Sequence, residues 1–267
     1  MKIYYGGVEG AYSHIVGNFY GEKLGIKDVE GVKNFKEVFE EIIKGNYGII
    51  PIENSYAGSV YENFFNLSKY DVKIYDEYYL DINHCLVSTS SNISSIKKVF
   101  SHYQALMQCE NYLNKNNLTQ ESYLDTAGSA AYIKELQNSE FGAICSEFAG
   151  EIYGLNILEK NIEDQSGNTT RFFLVGQNGL NLGLEKKGKI SLIFKAKSVP
   201  AVLYKCLGAF ATRNINLTKI ESLPAKENPF EYMFWIDLDG RLDSVEVKGA
   251  LEELKFFTTD IRILGDY

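Results

Sequence analysis

Residues 168–173, Asn-Thr-Thr-Arg-Phe-Phe, place an amide, two hydroxyls and an arginine side by side. The chain has four arginines, and Arg171 is the only one before Arg213. A guanidinium offers a fixed fork of donors that fits a carboxylate, which a lysine ammonium does not. These residue types could therefore bind a small polyanion and offer it a proton. On these six residues alone, however, the favoured interpretation is an ordinary strand start whose arginine pairs with a surface carboxylate.

Two polar turns earlier in the chain also precede helices. Residues 6–13 hold three glycines and end at Ser13, but their spacing is not G-x-G-x-x-G, so a dinucleotide site is not favoured. Free backbone N–H groups at such a helix N-terminus still bind carboxylates. Residues 51–60 place Asn54 and Ser55 after a strand end. Taken singly, each turn is explained by helix capping.

Composition narrows the class of protein. The 267 residues are 45% hydrophobic and 13% aromatic, which indicates about two domains with buried cores. A formal charge of −8 without a basic run argues against nucleic-acid binding. No apolar run is long enough for a membrane span or a secretory signal, so we expect no membrane association and a cytoplasmic location. The four cysteines and three histidines are scattered, which favours a reduced protein without a metal site.

Strands and helices are predicted to alternate over residues 1–178, which is typical of α/β layers. The extended stretch 72–88 is expected to cross from one lobe to another, and residues 157–175 to return. Such a return places residues 168–173 beside a cleft, where ligand sites are common. The two expected lobes are about 1–75 plus 158–178, and about 76–157.

Local patterns give further predictions in the second lobe and beyond it. A helix is predicted from Tyr103 to about Tyr112, and a strand near Tyr123 and Leu124. A linker rich in glycine and asparagine occupies residues 179–188. Residues 189–267 then follow the order βαββαβ of a ferredoxin-like unit. Its second and third strands are predicted over residues 215–222 and from Glu231, joined by a proline-containing turn.

Five short blocks, taken together, resemble prephenate dehydratase and keep the order found in that family. Any one block is unspecific, whereas five in order are specific, and with the C-terminal unit they cover nearly the whole chain. The blocks are Gly7-x-x-Gly10-Ala11-Tyr12-Ser13, Pro51-Ile52-Glu53-Asn54-Ser55 with Gly58-Ser59-Val60, Ser101-His102 with Ala105-Leu106-x-Gln108-Cys109, Asp125-Thr126-Ala127 with Ala130-Ala131, and Asn168-x-Thr170-Arg171-Phe172.

The resemblance implies a fold and an activity. The fold is a two-lobed α/β catalytic domain resembling type II periplasmic binding proteins, followed by a C-terminal ferredoxin-like ACT domain. The activity is conversion of prephenate to phenylpyruvate, water and carbon dioxide on the route to phenylalanine, without a metal or organic cofactor. Thr170 stands at the family's catalytic position, and we interpret its hydroxyl as a hydrogen-bond donor to the leaving oxygen. The expected substrate-binding residues are Ser13, Asn54, Ser55, Asn168, Arg171 and Phe172.

The resemblance also implies regulation by an amino acid, L-phenylalanine in this family, and a homodimer or homotetramer. Where the family has Gly-Ala-Leu, this chain has Ala201-Val202-Leu203. Where the family has Glu-Ser-Arg-Pro, it has Glu221-Ser222-Leu223-Pro224, so Ala201, Val202 and Leu223 differ. Glycine often marks close backbone approach to a ligand, so the added bulk is expected to narrow the effector pocket. We expect effector coupling to persist and phenylalanine binding to be altered. The expected regulatory residues are Ala201, Val202, Leu203, Glu221, Ser222, Leu223 and Pro224.

Two alternative functions remain open at this point. An arogenate or cyclohexadienyl dehydratase would differ only in acting on an amino acid in place of the keto acid, and the sequence does not separate these. A two-lobed binding protein or sensor without catalysis is the alternative of another class. Thr170 next to Arg171, together with the block at residues 51–60, favours the enzyme, because a pure ligand binder has no need of that hydroxyl.

Overall fold

The structure is a computed structural model that describes residues 1–224 and 232–267. The chain forms two compact units, each assembled from two stretches of sequence. The first unit contains Met1–Asn63 and Tyr78–Leu174, and the second contains Phe64–Glu77 and Val175–Tyr267. The sequence did not predict that Phe64–Glu77 packs with the C-terminal residues.

Strands and helices alternate along the first 177 residues, as the α/β prediction required. A short 3₁₀ turn at Ile93–Ser95 interrupts this alternation. In chain order the elements are β1 (Ile3–Gly6), α1 (Tyr12–Leu24), β2 (Val29–Val32), α2 (Phe35–Ile42), β3 (Tyr47–Asn54), β4 (Gly58–Ser59), α3 (Tyr61–Lys69), β5 (Val72–Asp81), β6 (Cys85–Ser88), β7 (Lys98–Ser101), α4 (Tyr103–Gln108), α5 (Glu110–Lys115), β8 (Thr119–Ser122), α6 (Thr126–Leu136), β9 (Phe141–Cys145), α7 (Glu147–Ile152), β10 (Asn156–Lys160) and β11 (Thr169–Gln177).

The first unit contains two sheets, one for each lobe. In the first sheet the strands follow the order β2-β1-β3-β11, and β1 is parallel to both β2 and β3. In the second sheet the order is β10-β6-β9-β7-β8. The chain reaches the second sheet after residues 82–84 and leaves it before residues 161–168. Because β10 pairs with β6, the lobe boundary expected at 157 lies inside a strand of the second lobe.

Capping side chains set the ends of several helices. Asn34 Oδ1 accepts from the Glu37 backbone N–H at 3.0 Å, and Glu37 Oε2 accepts in return from the Lys33 N–H at 3.0 Å. This reciprocal capping box starts α2 where the sequence predicted a helix. The single helix predicted from Tyr103 was wrong, because the chain breaks at Cys109 between α4 and α5.

The strand predicted near Tyr123 and Leu124 is present but lies a few residues earlier. The strand β8 ends at Ser122, and Leu124 is 85% exposed. Two residues after Tyr123, Asp125 already caps α6, since its Oδ1 accepts from the Gly128 N–H at 2.6 Å. The helix requires extended backbone at this cap rather than a strand partner, so pairing stops earlier than the aromatic pattern suggested.

The core of the second lobe lies on both faces of its sheet. Along β6, Cys85 and Val87 pack against α6, whereas Leu86 packs on the opposite face with residues of α4. This is the period of two that a sheet buried on both faces requires. Burial raises the pKa of the Cys109 and Cys145 thiols, which keeps them protonated and inert. All four cysteines of the chain are free and buried.

The C-terminal part of the second unit has the predicted βαββαβ order. Its strands follow the order β13-β14-β12-β15, and each neighbouring pair is antiparallel. Phe64 contacts Trp235 edge-to-face, with 4.8 Å between ring centroids. The predicted turn between the second and third strands, and the start at Glu231, lie outside the described residues. The elements are β12 (Lys189–Ala196), α8 (Val202–Ala211), β13 (Leu217–Pro224), β14 (Tyr232–Asp239), α9 (Val245–Phe257) and β15 (Thr258–Asp266).

Neither a membrane-crossing helix nor a cluster of metal-ligating side chains is present in residues 1–224 and 232–267. Over residues 1–224 and 232–267, no helix is long and apolar enough to cross a membrane. Over the same ranges, no three or more histidine, cysteine, aspartate or glutamate side chains are grouped so that they could hold a metal ion.

Candidate active site

A cavity of about 320 Å³ in the first unit brings together most of the predicted site residues. Both lobes contribute to its wall. From the second lobe come His102, at the start of α4, and Gln108, at its end, together with Asp125 at the start of α6. His102 Nδ1 accepts from the Gln104 N–H at 3.3 Å, so this histidine caps a helix as well as facing the cavity. The predicted residues that line the cavity are Ser13, Asn54, Asn168, Thr170 and Phe172.

Arg171 does not line this cavity. Successive side chains of a strand point to opposite faces, so Thr170 and Phe172 share one face of β11 and Arg171 lies on the other. Arg171 is only 3% exposed, and its Nη1 donates to Glu53 Oε1 at 3.1 Å. Its guanidinium lies 4.7 Å from the centroid of the Phe173 ring. The position of Arg171 therefore suits a structural role behind the cavity and not the expected contact with substrate.

Ser55 also lies away from the cavity lining. Its Oγ donates to the Gly167 carbonyl at 3.2 Å and accepts from the Thr169 N–H at 3.0 Å. In addition, the Ser55 N–H donates to the Thr169 carbonyl at 2.9 Å. Ser55 therefore fastens the turn after β3 to the segment that leads into β11, which fixes the spacing between Asn54 and Thr170.

The orientation of the Asn54 side chain is fixed by the backbone. Its Oδ1 accepts from the N–H groups of Tyr56 and Ala57, at 3.0 and 2.8 Å. Because a backbone N–H can only donate, the other end of this amide must be the NH₂ group. That group donates to Asn168 Oδ1 at 2.5 Å and to Thr170 Oγ1 at 2.9 Å.

The assignment of donors and acceptors continues from Asn168 through Gln108 to the buried His84. With its oxygen accepting from Asn54, Asn168 presents its NH₂ group to Gln108 Oε1 at 2.9 Å. Gln108 Oε1 is then an acceptor, so His84 Nε2, also 2.9 Å away, must carry a hydrogen and donate. His84 is 2% exposed, and burial lowers its pKa although Gln108 and Glu163 act in the opposite direction. The ring is therefore neutral, with its hydrogen on Nε2.

Tyr12 ends this hydrogen-bonded chain. Its hydroxyl lies 3.0 Å from His84 Nδ1, which is an acceptor in the neutral Nε2–H tautomer. The hydroxyl also lies 2.8 Å from the carbonyl oxygen of Asn83. Burial raises the pKa of Tyr12 well above its ordinary value, so the hydroxyl keeps its proton. Both partners of the Tyr12 hydroxyl can accept that proton.

The hydroxyl hydrogen of Thr170 takes no part in this chain of hydrogen bonds and is available to a ligand in the cavity. The Oγ1 of Thr170 accepts from Asn54, and within the described residues its hydroxyl donates to no other group. A threonine hydroxyl has a single hydrogen, which is thus available to an oxygen atom placed in the cavity. Thr170 is therefore a hydrogen-bond donor toward any bound ligand.

The start of α1 offers a second set of donors. Ala11 is the N-cap of α1, and no side chain caps this helix. In the described part of the chain, the N–H groups of Tyr12 and Ser13 donate to no protein group. Gly7, which also lines the cavity, has φ of 115°, in the left-handed region that favours glycine. An uncapped helix N-terminus that opens on a cavity suits an anion such as a carboxylate.

Sequence reasoning missed His84. It stands alone in an extended stretch, and its partner Gln108 is 24 residues away. No short-range pattern could have paired them. Tyr12, Gln108 and Asp125 were recognised as members of the five blocks, but their places in the cavity depend on tertiary structure.

Comparison with known proteins gives the family. Residues 3–179 match the family model described as prephenate dehydratase. Arogenate dehydratase 2 of Petunia hybrida is 38% identical, over 100% of this chain and 71% of that protein. Prephenate dehydratase of Methanocaldococcus jannaschii is 40% identical, over 86% of this chain and 84% of that protein.

Among solved structures, prephenate dehydratase from Arthrobacter aurescens in complex with L-Phe superposes with a TM-score of 0.89 at 26% identity. That comparison covers 99% of this chain and 89% of the other. The family match, the relatives and the structural similarity agree with one another. The chain belongs to the prephenate dehydratase family.

Proposed function

We propose that the chain converts prephenate to phenylpyruvate in phenylalanine biosynthesis, and that Thr170 assists departure of the ring hydroxyl. The bond between the ring and its carboxylate breaks and releases carbon dioxide. The electron pair enters the ring, the C–O bond breaks, and the hydroxyl takes a proton supplied by solvent and leaves as water. One proton is consumed and the ring becomes aromatic. Carbon, oxygen and electrons balance without an oxidant or reductant.

The observation that carries this proposal is that the hydroxyl hydrogen of Thr170 has no acceptor within the described residues. Asn54 donates to the hydroxyl oxygen, and no acceptor for the hydroxyl hydrogen lies within the described residues, so that hydrogen is available to an oxygen bound in the cavity. An alcohol is a weak acid, and the amide of Asn54 is no proton source. Thr170 therefore acts as a donor to the oxygen that becomes negatively charged as the C–O bond breaks. Removing such a donor costs about 10²- to 10³-fold in rate.

Substrate carboxylates have a binding place at the start of α1. The free N–H groups of Tyr12 and Ser13 suit an anion, and the hydroxyl of Ser13 is part of the cavity lining. Phe172, which is 2% exposed, contributes apolar surface for the ring. Asn168 and Asn54 hold each other and Thr170 in place. Arg171 and Ser55 support the two strands that carry these groups.

The proposal is tested by incubating the purified chain with prephenate and following phenylpyruvate. We expect catalytic turnover with equal amounts of carbon dioxide and phenylpyruvate. Folded protein that binds prephenate without forming product would refute the proposal and support the non-catalytic sensor. A thermal melt before and after the assay shows that the protein has remained folded.

We further propose that residues 189–267 form an ACT-type regulatory domain that binds an amino acid. The similarity to a family structure solved with L-Phe supports this proposal. Ala201 has φ of 58°, a left-handed conformation that favours glycine, which is a physical reason for the family's glycine at this position. Leu223 is fully buried in β13, so it offers no polar group to an effector.

Isothermal titration with L-phenylalanine, together with assays in its presence, tests the regulatory proposal. Binding or inhibition would support an effector site, and the absence of both would refute it.

We also propose a homodimer or homotetramer. Tyr204 of α8 and Phe256 of α9 are 80% and 74% exposed, which supports an apolar surface for a second copy. A monomer in sedimentation equilibrium would contradict this assembly.

A further inference from the structure

The side-chain amide of Gln108 is bonded to the protein through its oxygen only. Its Oε1 accepts from Asn168 Nδ2 and from His84 Nε2, each at 2.9 Å. Over residues 1–224 and 232–267, its NH₂ group donates to no protein group. Gln108 is half-buried and lines the cavity, and an amide NH₂ group has two hydrogens to donate. These hydrogens are therefore available to an oxygen atom of a bound ligand.

The neighbours of this amide determine which end faces the cavity. A glutamine amide can turn over about its last bond, which exchanges its oxygen and its NH₂ group at nearly unchanged shape. In Gln108 that turn would set the NH₂ group against the Nε2–H of His84 and the NH₂ group of Asn168. Donors would then face donors and lose their acceptor, which is costly for buried groups. His84 and Asn168 therefore hold the Gln108 oxygen toward themselves and leave the NH₂ group for the cavity.

His84 has no ring nitrogen left for a ligand. Its Nε2 donates to Gln108, and its Nδ1 lies 3.0 Å from the Tyr12 hydroxyl. The residue is 2% exposed, and its backbone N–H donates to Glu163 Oε2 at 3.0 Å, which fixes its place in the chain. Of the two partners of the ring, Gln108 is the one with unused donors. An effect of His84 on a ligand therefore passes through Gln108.

We propose that His84 is a positioning residue for prephenate, because it holds the Gln108 amide with its NH₂ group toward the substrate, where it donates to a substrate oxygen. The proposal rests on the proposed function, since it concerns the same cavity and the same reaction. A neutral donor held in place binds the substrate and the transition state alike. Its loss is therefore expected in KM, with kcat little changed.

The test measures kcat and KM for prephenate in wild type, His84→Met and His84→Gln. Methionine fills the space without a donor, whereas glutamine keeps an N–H group for Gln108. In His84→Met we expect KM to rise about three- to tenfold, the range of one neutral hydrogen bond, with kcat within about threefold. In His84→Gln, the matched control, KM should return to within about twofold of wild type. Thermal melts give the temperature at which each variant is folded.

A double-mutant cycle shows whether His84 acts through Gln108. In Gln108→Leu the donor is absent, so adding His84→Met should not raise KM further. A packing role of His84 would change the kinetics by the same factor in both backgrounds. Nitrogen NMR of the wild-type imidazole rings reads the tautomer of His84 without substrate and without a variant. We expect the hydrogen on Nε2.

The outcomes separate this inference from the proposed function. If wild type does not turn over prephenate, the proposed function fails, and the role of His84 fails with it. If wild type is active but His84→Gln raises KM as much as His84→Met, the inference is overturned and the proposed function stands. The same holds if His84→Met still raises KM in Gln108→Leu. A hydrogen on Nδ1 in place of Nε2 would overturn the inference even if His84→Met did not fold.

Discussion

The turn that carries Asn54 and the turn that starts α8 both lie beside a proposed ligand site, yet they are held differently. At Asn54, the side chain accepts two backbone N–H groups and donates to Asn168 and Thr170. At Ala201, no side chain caps the helix, and the backbone has φ of 58° and ψ of 24°. A residue with a Cβ in this conformation costs about 1–2 kcal/mol.

The two turns differ in what holds their backbone in place. At Asn54, hydrogen bonds determine the direction of each donor, so replacing one donor by an acceptor disturbs the whole chain of contacts. In the second unit, the turn is a strained backbone that removal of a methyl group would relieve. Substitutions in the first turn should therefore change catalysis, and substitutions in the second should change stability.

Asn54→Asp should have the largest effect among the supporting residues. The carboxylate can still accept from Tyr56 and Ala57, but it cannot donate to Asn168 or Thr170. We expect kcat for prephenate to fall on the order of 10³-fold, since the Thr170 proton then turns toward the carboxylate. Steady-state kinetics measure the loss. Asn156→Asp is the control, because Asn156 is exposed and its Nδ2 donates to the Thr89 carbonyl. Equal kcat values for the two variants would contradict the proposed chain.

Arg171→Ala should separate stability from catalysis. Loss of the Glu53 pair and of packing on Phe173 should lower the free energy of unfolding by about 2–3 kcal/mol. Because Arg171 lies outside the cavity lining, kcat should stay within about tenfold of wild type at temperatures where the variant is folded.

Urea unfolding and prephenate kinetics together test this prediction for Arg171. Arg241→Ala is the control, since its pair with Asp243 is exposed and solvent screening should leave it little effect on stability. A large loss of kcat at unchanged stability would instead place Arg171 in contact with substrate.

The pH dependence of stability should reflect His84. Burial holds the pKa of its folded state below the unfolded value of about 6.5. Below that pH the unfolded chain takes up a proton that the native ring refuses. The free energy of unfolding therefore falls as pH decreases below about 6.5, by at most about 1.4 kcal/mol per pH unit for one histidine.

Urea unfolding of wild type and His84→Gln at about pH 7.5 and about pH 5.5 measures this effect, on either side of the unfolded pKa. Glutamine can still donate to Gln108, so the variant tests the charge rather than the contact. The dependence on pH should weaken in the variant. His14, whose pKa burial also lowers, should supply part of the remaining slope. An unchanged slope would mean that the native ring takes up a proton as readily as the unfolded one, so that burial does not lower the pKa of His84.

Ala201→Gly should have the smallest effect and the opposite sign. Glycine adopts the left-handed conformation without the Cβ penalty, so the free energy of unfolding should rise by about 0.5–1 kcal/mol. Ala211→Gly, in the last turn of α8, should instead lower it by up to about 1 kcal/mol. Urea titrations of both variants give the comparison. Destabilisation by both would show that the methyl of Ala201 makes contacts that outweigh the strain.

Local signals in the sequence predicted the parts of the fold that local chemistry determines. The helix α2 follows from the Asn34–Glu37 capping box, and the βαββαβ order follows from short-range alternation. Packing of Phe64 on Trp235 could not be predicted, because 171 residues separate two apolar side chains with no distinguishing pattern. For the same reason the partnership of His84 with Gln108 required the structure.

The candidate site shows a prediction that strand geometry could have corrected. Arg171, an isolated arginine, was predicted to bind substrate, yet as the strand neighbour of Thr170 it cannot face the cavity that Thr170 faces. Applying the period of two to residues 168–173 would have assigned Thr170 and Phe172 to one face and Arg171 to the other. The place of Asp125 in the cavity lining gave no such signal, because a capping aspartate looks the same whether or not a cavity lies beside it.

The most direct test of the central claim is kcat for prephenate in Thr170→Ala, measured beside Thr170→Ser and Thr169→Ala. Serine keeps the hydroxyl, and the Thr169 hydroxyl donates to Asp81 rather than facing the cavity. We predict that Thr170→Ala keeps its fold and oligomeric state but loses about 10³-fold in kcat, while Thr170→Ser and Thr169→Ala stay within about tenfold. Near-normal turnover in Thr170→Ala would contradict the assignment of Thr170 as the donor to the leaving oxygen.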